Sequence, residues 1–549
     1  MTNKELADLM YPDVTKTIDY YEELYPKRDL PEGAVVSRFA PSPTGFVHMG
    51  SLMSSFVERF VPKTTGGVFY LRIEDTDQKR EVENGIQGII DDLDNFGITR
   101  DEGVISEDEE IGNYGPYIQS HRIDIYHTFA KWMVEQGYAY PCFCSADELE
   151  IMRKKQEAKK LQPGYYGGWA KCRDLSNEER AERIKNGESW TLRIKSRGLE
   201  TRKCVVNDLV RGQIEFPENY IDHVLIKDNG IPVYHFAHLV DDHLMRTTHV
   251  LRGEEWLPST PLHTELFQMF GFEQPKYGHL GLLMKIDEEG TRRKLSKRKD
   301  PEAAVSFYHE KGIPLEAVHK YLLTIANSNF EGWLDQNPDA SIYDFTFDFR
   351  KMSASGSLFD VDKMLNIAKN HISRMKAVDV YDAILEYYTE FDKEFADIIS
   401  KDKEYTVNIL NIEREQKKPR KDYACWSDVK GSIWYMYDEL YNPDTYEWMN
   451  ITDMDEIKKI LNTYISEYYN SNDDKDTWFN KIQQLSDSLG YAGNMKDYKE
   501  NPDNYKGNVS DISTVIRVAL TSKSQTPDLY EIMRLLGKTR IETRINNLK

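Results

Sequence analysis

The clearest pattern of apolar and polar positions lies near the start of the chain. Residues 35–40 are typical of a short buried strand, and two prolines and a glycine end it within the next five positions. From Leu52 to Phe60 the apolar positions recur at helical spacing, which predicts a helix that begins near Gly50. A strand, a tight loop and a helix in this order place free helix N–H groups beside the loop, which is the geometry of a phosphate site.

The same kind of pattern continues along the chain. It predicts a strand at 68–73, directly after a Gly-Gly break, and a helix at 86–96. Strand, helix and strand with short connections indicate a parallel sheet, and the loops that follow the strands then meet at its carboxyl edge, where open α/β sheets bind ligands. Apolar residues at Val240 and Val250–Leu251 predict further buried parallel strands. Residues 374–549 show helix after helix without strand alternation.

Length and cysteine usage narrow the class of protein. The 549 residues suffice for about three or four domains. No apolar run approaches the roughly 20 residues that a membrane helix needs. The first residues are polar and acidic, unlike a signal peptide, and the five cysteines form an odd, sparse set. We therefore expect a reduced cytoplasmic protein with no membrane partner.

The charge balance bears on nucleic-acid binding. The net charge is −21, from 71 basic and 92 acidic residues, which taken alone argues against a nucleic-acid partner. This sum hides local basic clusters at 414–421 and 538–544 in the helical C-terminal part. A charge cluster on a helix is usually only solvated, so the charge pattern alone leaves an RNA partner open.

Two motifs, read together, change the interpretation of the first loop. The segment 38–45, Arg-Phe-Ala-Pro-Ser-Pro-Thr-Gly, is followed by His48 and Gly50, and Lys-Leu-Ser-Lys-Arg stands at 294–298. The pair resembles the HIGH and KMSKS signatures of class I aminoacyl-tRNA synthetases, and the first segment resembles glutamyl-tRNA synthetases of the bacterial type. Arg-Ile-Glu-Asp-Thr-Asp at 72–77 resembles a further motif of that family. The resemblance extends from residue 35 to the C terminus.

The resemblance implies an α/β fold: a Rossmann-like parallel-sheet catalytic domain with an inserted acceptor-end-binding domain, followed by all-α stem-contact and anticodon-binding domains. We expect an N-terminal extension at 1–34, formed by one amphipathic helix and a linker. The remaining expected boundaries are 35–120 and 232–299 for the two halves of the catalytic domain, 121–231 for the insertion, 300–373 for the stem-contact region and 374–549 for the anticodon-binding domain.

The resemblance also implies an activity, which is ATP-dependent ligation of L-glutamate to the 3′ end of tRNA(Glu). The reaction passes through glutamyl-adenylate and releases AMP and pyrophosphate. ATP implies Mg²⁺, held mostly by phosphate oxygens and water. The sequence leaves open whether tRNA(Gln) is a second substrate, and the monomer is the habit of the family.

Residue roles follow from the same resemblance. Catalysis is assigned to His48, Gly50, Lys294, Ser296 and Lys297. ATP binding is assigned to Thr44, His48, Gly50, Glu255, Trp256 and Lys297, and the tRNA acceptor end to Asp77 and Arg80. Glutamate binding is assigned to Arg38, Ala40, Ser42, Glu74, Tyr234, His238 and Arg252. An arginine clamp suits the side-chain carboxylate because a guanidinium group pairs both of its oxygens, and Glu74 suits the substrate ammonium. His238 stands where relatives would carry a different polar residue such as Asn.

Cys142, Cys144 and Cys172 lie in the expected insertion. Some members of the family bind structural zinc with Cys-x-Cys and a later Cys paired with Tyr or His, and three thiolates with one more donor suit tetrahedral zinc. Here two tyrosines stand six and seven residues before Cys172 and no histidine follows it, which departs from the pattern. The sequence therefore leaves zinc and three reduced cysteines as alternatives.

Three other functions are disfavoured. A nucleotidyltransferase without tRNA predicts nothing for residues 300–549. A non-enzymatic tRNA-binding paralogue should have lost His48, Lys297 or Arg38, and all three are present. A truncated relative that modifies a tRNA nucleoside lacks an anticodon domain.

Overall fold

The computed structural model describes residues 1–45, 47–77, 82–296 and 299–548. The chain divides into two compact units. The first comprises Met1–Phe307 with His319–Asp360, and the second comprises Tyr308–Val318 with Val361–Lys549. Within the described ranges, no helix is long and apolar enough to cross a membrane.

The N-terminal extension contains two helices, so the expectation of one amphipathic helix is wrong. They are α1 (Asn3–Met10) and α2 (Ile18–Leu24). Thr2 and Glu5 form a capping box at the start of α1, and the side chain of Thr17 caps α2. Two separate caps stabilise two short helices where the apolar spacing predicts a single one.

A parallel sheet forms the centre of the first unit. Its elements in chain order are β1 (Val36–Phe39), α3 (Met49–Thr65), β2 (Val68–Leu71), α4 (Gly85–Asn95), β3 (Glu102–Val104) and β4 (Glu110–Ile111). The strands β1, β2 and β3 lie side by side in parallel, and β4 pairs antiparallel at the edge. The predicted first strand, first helix, second strand and second helix are thus confirmed.

The segment after this sheet builds a smaller antiparallel region. It contains α5 (Ile123–Glu135), β5 (Ala139–Cys142), α6 (Ala146–Ala158), α7 (Asn177–Lys185), β6 (Thr191–Ile194), β7 (Lys203–Asp208), β8 (Gly212–Pro217) and β9 (Val224–Ile226). The order β5-β6-β9 gives one antiparallel sheet, and β7 with β8 forms a separate hairpin.

The chain then returns to the side of β1 through α8 (Tyr234–Leu244), β10 (His249–Gly253), α9 (Thr260–Phe270) and β11 (Lys276–Leu280), and the two strands form a separate two-stranded sheet. Strands β10 and β11 are parallel, and Thr248 N donates to Val36 O at 2.9 Å beside β1. The predicted strand at Val250–Leu251 is confirmed. The strand predicted at Val240 is wrong, since this residue lies in α8; a short apolar run does not by itself distinguish a buried strand from a buried helix.

A second small sheet follows. It comprises β12 (Leu283–Ile286), β13 (Arg292–Lys294) and, later in the chain, β14 (Ser357–Leu358). Between β13 and β14 lie α10 (Ser306–Lys311), α11 (Leu315–Ala326) and α12 (Phe330–Gln336). The region 300–373 is therefore mostly helical, as expected, but it also supplies one short strand.

Among its described residues the second unit consists of helices and the loops that join them, with no strand, as the sequence predicts for 374–549. Its longer helices are α13 (Val361–Arg374), α14 (Ala377–Phe391), α15 (Lys393–Ser400), α16 (Lys403–Asn411), α17 (Ser427–Ile433), α18 (Met454–Thr463), α19 (Lys475–Ser488), α20 (Met495–Glu500), α21 (Val509–Thr521) and α22 (Leu529–Asn547). The last is interrupted at Gly537, whose φ is +75°.

Candidate active site

The loop after β1 brings His48 to the carboxyl edge of the parallel sheet. His48 is the N-cap residue of α3, and its Nδ1 accepts from Ser51 N at 2.9 Å. A Cβ atom at Gly50 would lie 3.1 Å from His48 Cε1, so glycine leaves room for the ring. Glu74 N donates to Pro41 O at 3.0 Å and connects this loop to the loop after β2. Two loops therefore meet where open α/β sheets bind ligands.

Most of the predicted site residues line one cavity of about 980 Å³ in the first unit. The predicted residues on its wall are Arg38, Ala40, Ser42, Thr44, His48, Gly50, Glu74, Tyr234, Arg252, Glu255, Trp256, Lys294 and Ser296. The volume is at the upper end of the roughly 300–1,000 Å³ of small-molecule sites.

Two described residues of the predicted glutamate, ATP and tRNA sites, His238 and Asp77, are not on this wall. His238 is fully buried, and its Nε2 lies 2.9 Å from the hydroxyl of Tyr277. Its ring stacks on Tyr234 with centroids 5.4 Å apart, so it supports a cavity residue from behind. Asp77 is half-buried and does not line the cavity. Arg80 and Lys297 lie outside the described residues.

A cluster of buried charges lies beneath the cavity. Arg72 donates to Asp242 at 2.7 Å and to Glu74 at 2.9 Å, and Arg38 Nε donates to Asp242 at 3.3 Å. Burial raises the pKa of Asp242, but the two guanidinium groups outweigh it and hold that pKa well below its usual range. Arg38 and Arg72 are therefore paired with carboxylates of the protein itself.

Two glutamates next to this cluster have raised pKa values. Burial raises the pKa of the Glu74 carboxyl despite the neighbouring Arg72. Burial raises the pKa of Glu58 well above its ordinary range, although Arg38 NH1 lies 3.6 Å from its Oε1. The second oxygen of Glu58 is buried without a hydrogen-bond partner among the described atoms. The buried carboxyl of Glu58 is therefore the neutral member of the cluster.

Arg252, the second predicted arginine, lies among uncharged groups. Its Nε donates to His279 Nε2 at 2.9 Å, and its terminal nitrogens lie 3.3 Å from the Tyr234 hydroxyl and 3.2 Å from His263 Nδ1. Burial lowers the pKa of His263 well below its ordinary value, so the ring next to Arg252 is neutral. The cavity thus receives one arginine that is paired with carboxylates and one that is not.

The second sequence motif reaches the cavity at the end of β13. Ser296 N donates to Asp300 Oδ2 at 2.9 Å, and Arg293 binds both oxygens of Asp300 at 2.7 and 2.6 Å. Leu295 N donates to Leu283 O at 2.9 Å. These bonds hold the segment that carries Lys294 and Ser296, and both residues line the cavity.

The comparisons with known proteins agree with this geometry. A family model described as the catalytic domain of class I tRNA synthetases (E and Q) matches residues 34–334. Over 99% of its length the chain is 48% identical to the glutamate–tRNA ligase of Clostridium perfringens (strain 13 / Type A), which is covered completely. The chain belongs to the glutamate–tRNA ligase family. A relative of the same name from Acetivibrio thermocellus is 47% identical, with both chains covered in full.

Two further findings extend the family assignment along the chain. A model described as an anticodon binding domain matches residues 503–549, inside the helical second unit. The crystal structure of a glutamate tRNA ligase from Elizabethkingia meningosepticum in complex with its amino acid is similar with a TM-score of 0.74 at 25% identity. That comparison covers 94% of this chain and 99% of the other. The α/β catalytic region followed by a helical anticodon-type domain is the architecture that the family predicts.

The three cysteines noted in the sequence of this family member lie together. The three sulfur atoms all lie within 4.8 Å of one another, and Sγ of Cys144 is 3.8 Å from Sγ of Cys172. The hydroxyl of Tyr165 lies 3.3 Å from Cys144 Sγ and accepts from Cys172 N at 3.0 Å. Of the two tyrosines before Cys172, Tyr165 therefore supplies a fourth donor next to the sulfurs.

Several residues of the site were not selected from the sequence. Arg72 stands within the motif at 72–77, so its position was a usable signal. His279 and Asp208 hold Arg252 from behind, and their side chains meet at 2.6 Å although they are 71 residues apart. No local pattern marks such a pair, because only the docking of the β7–β8 hairpin on β11 brings them together.

Proposed function

We propose that this chain joins L-glutamate to the 3′ end of tRNA(Glu) in an ATP-dependent reaction that passes through glutamyl-adenylate and releases AMP and pyrophosphate. The observation that carries the proposal is the convergence of the His48 loop, two arginines, Glu74 and the Lys294 segment on one cavity. The full-length relatives named glutamate–tRNA ligase support the same reaction.

The amino acid is recognised mainly by charge. Arg38 and Arg252 form the proposed clamp for the side-chain carboxylate, because a guanidinium fork pairs both oxygens of a carboxylate. Arg252 contributes charge that no protein carboxylate balances among the described residues, whereas Arg38 shares its charge with Asp242. Glu74 receives the substrate ammonium. The remaining wall, which includes Tyr234, sets the shape of the pocket.

The chemistry needs no protein nucleophile. In the first step a carboxylate oxygen of glutamate bonds to the α-phosphorus of ATP, and the bond to the bridging oxygen of pyrophosphate breaks. In the second step a terminal ribose hydroxyl of the tRNA attacks the acyl carbon, and AMP leaves. Catalysis is then positioning and stabilisation of moving charge. His48, at the N terminus of α3, and Lys294 provide this for the phosphates, and the role of Lys297 rests on the sequence motif.

ATP occupies the part of the cavity between the His48 loop and the turn that follows β10. Trp256 gives this part an aromatic wall, and its ring lies 4.0 Å from that of Tyr234 in the amino-acid pocket. Thr44, Gly50 and Glu255 complete the proposed nucleotide contacts, and all of them line the same cavity. Mg²⁺ accompanies ATP, bound mostly by phosphate oxygens and water.

The tRNA contacts are proposed for other parts of the chain. The acceptor end is assigned to the inserted region 121–231 and to Asp77 and Arg80, and the anticodon to the helical region 374–549. The match to an anticodon binding domain at 503–549 supports the second assignment. The sequence leaves charging of tRNA(Gln) open, and the monomeric state and the cytoplasmic location stay predictions from the sequence.

We also propose a structural zinc ion in the inserted region. Three thiolates and one oxygen donor meet the coordination number and ligand preference of tetrahedral zinc. Cys142, Cys144, Cys172 and Tyr165 provide this set at compatible separations. When bound, the ion would crosslink β5 to the segment that carries Cys172 and Tyr165. We expect about one zinc per purified chain by atomic absorption, and loss of it in Cys172→Ser; a zinc-free wild-type protein would contradict the assignment.

The activity is tested by aminoacylation with radiolabelled glutamate on pure tRNA(Glu) and pure tRNA(Gln) in parallel, with Arg38→Ala as the site variant. We expect charging of tRNA(Glu) by the wild type and a strong loss in the variant. Charging of both tRNAs would identify a non-discriminating enzyme. Charging of neither, with tRNA binding intact, would refute the proposed function.

A further inference from the structure

The hydrogen-bond partners of Arg252 differ from those of the other arginines near the cavity. The side chain is buried, and it contacts His279, His263, Tyr234 and Thr260. Every one of these partners is an uncharged acceptor, and among the described residues no carboxylate forms an ion pair with Arg252. The guanidinium group is thus oriented by neighbours that leave its charge unbalanced.

The bond from Arg252 fixes the protonation of His279. A guanidinium group can only donate, so Nε2 of His279, at 2.9 Å, must carry a lone pair. The proton of the neutral ring is then on Nδ1, which lies 2.6 Å from Oδ2 of Asp208. Burial lowers the pKa of His279 while Asp208 opposes this, and the net lowering keeps the ring neutral. Asp208 therefore selects the one tautomer that can accept from Arg252.

Asp208 is itself firmly held at the end of β7. Its Oδ1 accepts from the backbone N–H groups two and three positions later, at 3.0 and 2.9 Å. Its Oδ2 accepts from His279 N at 3.1 Å in addition to the ring. Burial raises the pKa of Asp208, but these donors outweigh it and lower the pKa, so the carboxylate is ionised. The three backbone donors hold the carboxylate in place, so that its Oδ2 faces the ring.

We propose that Asp208 and His279 form a positioning pair that aims the guanidinium group of Arg252 at the side-chain carboxylate of glutamate. This inference rests on the function proposed above for Arg252. Neither member lines the cavity, whereas Arg252 does, so the pair acts through Arg252 and not by contact with substrate. The pair also joins the β7–β8 hairpin of the inserted region to the amino-acid pocket, since Asp208 belongs to β7.

The arrangement explains how the pocket obtains both direction and charge. A carboxylate in direct contact with Arg252 would orient the guanidinium group but would also neutralise it, as Asp242 does for Arg38. Placing the imidazole of His279 between Asp208 and Arg252 retains the orientation and moves the negative charge one ring away. The substrate is then the first carboxylate that the guanidinium group meets, and a carboxamide substrate leaves it unbalanced.

The test compares Asp208→Asn, His279→Gln and His279→Leu with the wild type in aminoacylation of tRNA(Glu), measuring KM separately for glutamate and for ATP. We expect Asp208→Asn to raise KM for glutamate about ten- to hundredfold. This is the range of losses found when the hydrogen-bond partner behind a metal-binding histidine is removed. KM for ATP should change less than about threefold, whereas general damage to the fold would move both constants. An unchanged KM for glutamate in Asp208→Asn overturns the proposal.

The two His279 variants separate positioning from packing. Glutamine places an amide oxygen where Nε2 accepts from Arg252, so His279→Gln should recover part of the affinity for glutamate that His279→Leu loses. Equal KM values for glutamate in the two variants overturn the proposal. If Asp208→Asn does not fold, this comparison is the deciding test. Glu215→Gln is the matched control, since it breaks an exposed ion pair with Lys203 in the same hairpin and should leave KM for glutamate unchanged.

Arg252→Gln tests the role of Arg252 separately from the role of the positioning pair. If this variant binds glutamate like the wild type, then the role proposed for Arg252 fails, and the positioning pair fails with it. If Arg252→Gln raises KM for glutamate strongly while Asp208→Asn and His279→Leu do not, then the role of Arg252 stands and the positioning pair alone is refuted.

Discussion

Asp242→Asn is the sharpest test of the charge cluster beneath the cavity. Asp242 is fully buried, it receives hydrogen bonds from Arg72 at 2.7 Å and Arg38 at 3.3 Å, and it lies 2.6 Å from Nδ1 of His238. Asparagine keeps the shape but removes the charge, so two buried guanidinium groups lose their shared partner. Breaking a buried ion pair from one side costs about 3–5 kcal/mol. We expect the first unit to lose unfolding free energy of this order.

Hydrogen exchange followed by mass spectrometry measures this loss locally, because it reports the strands of the first unit separately from the second unit. A loss of about 3 kcal/mol corresponds to amide exchange in β1 and β2 that is faster by about a hundredfold. Peptides from α21 in the second unit should not change. Asp8→Asn is the control, since Asp8 is exposed and solvent screens its ion pair with Lys131, so that exchange in β1 and β2 should not change. Exchange in β1 and β2 within threefold of the wild type would refute the reasoning.

Three further predictions concern stability. Burial raises the pKa of Glu58 above its ordinary 4.5, so its contribution to stability is present below that value and is lost as pH rises through the folded pKa. Glu58→Gln should remove this loss, which denaturant titrations of both proteins at several pH values would measure. Unfolding free energies of the two proteins that change in parallel between about pH 5 and pH 8 would contradict it. Arg28→Ala removes a bidentate ion pair with Glu102 at 2.7 and 2.9 Å and should lower the stability of the docked segment 1–34 by about 1–3 kcal/mol. Trypsin should then cleave within residues 1–34 faster than in the wild type, and an unchanged cleavage rate argues against a stabilising role for this ion pair. Gly103→Ala should melt well below the wild type, because φ is +114° and a Cβ would lie 2.2 Å from a backbone oxygen, whereas Gly88→Ala, with open space, should not; equal melting temperatures would count against the clash.

The sequence predicts the centre of the fold well because several local signals agree there. The short buried strand that prolines end at β1, the helical spacing of Leu52–Phe60 and the glycine break before β2 each indicate the observed element. The errors lie where one signal stands alone. The apolar residues around Val240 fit a buried helix as well as a strand, and the spacing in residues 1–34 does not show that two threonine caps divide the segment.

The residues of the site also fall into those that the sequence predicts and those that it does not. Thirteen of the predicted residues lie on the wall of one cavity, and nine of them belong to the motifs at 38–50, 72–77 and 294–298. The residues behind the wall could not be identified from motifs in the sequence. Asp208 reaches His279 across 71 positions, and Tyr277 is placed next to His238 only by the parallel pairing of β10 with β11. Such contacts are products of tertiary packing, which single-chain spacing does not encode.

The proposed selectivity for glutamate follows from the balance of buried charge. Arg38 and Arg72 are matched by the ionised Asp242 and by Glu74, so this part of the pocket is close to neutral before substrate binds. Arg252 adds one positive charge whose described partners are all neutral. A glutamate side chain brings the single negative charge that completes the balance, whereas glutamine fills the same volume and leaves a buried guanidinium group uncompensated. Shape discriminates poorly between two such isosteres, and an unpaired buried charge discriminates strongly, so the neutral imidazoles around Arg252 are as necessary to the choice as Arg252 itself.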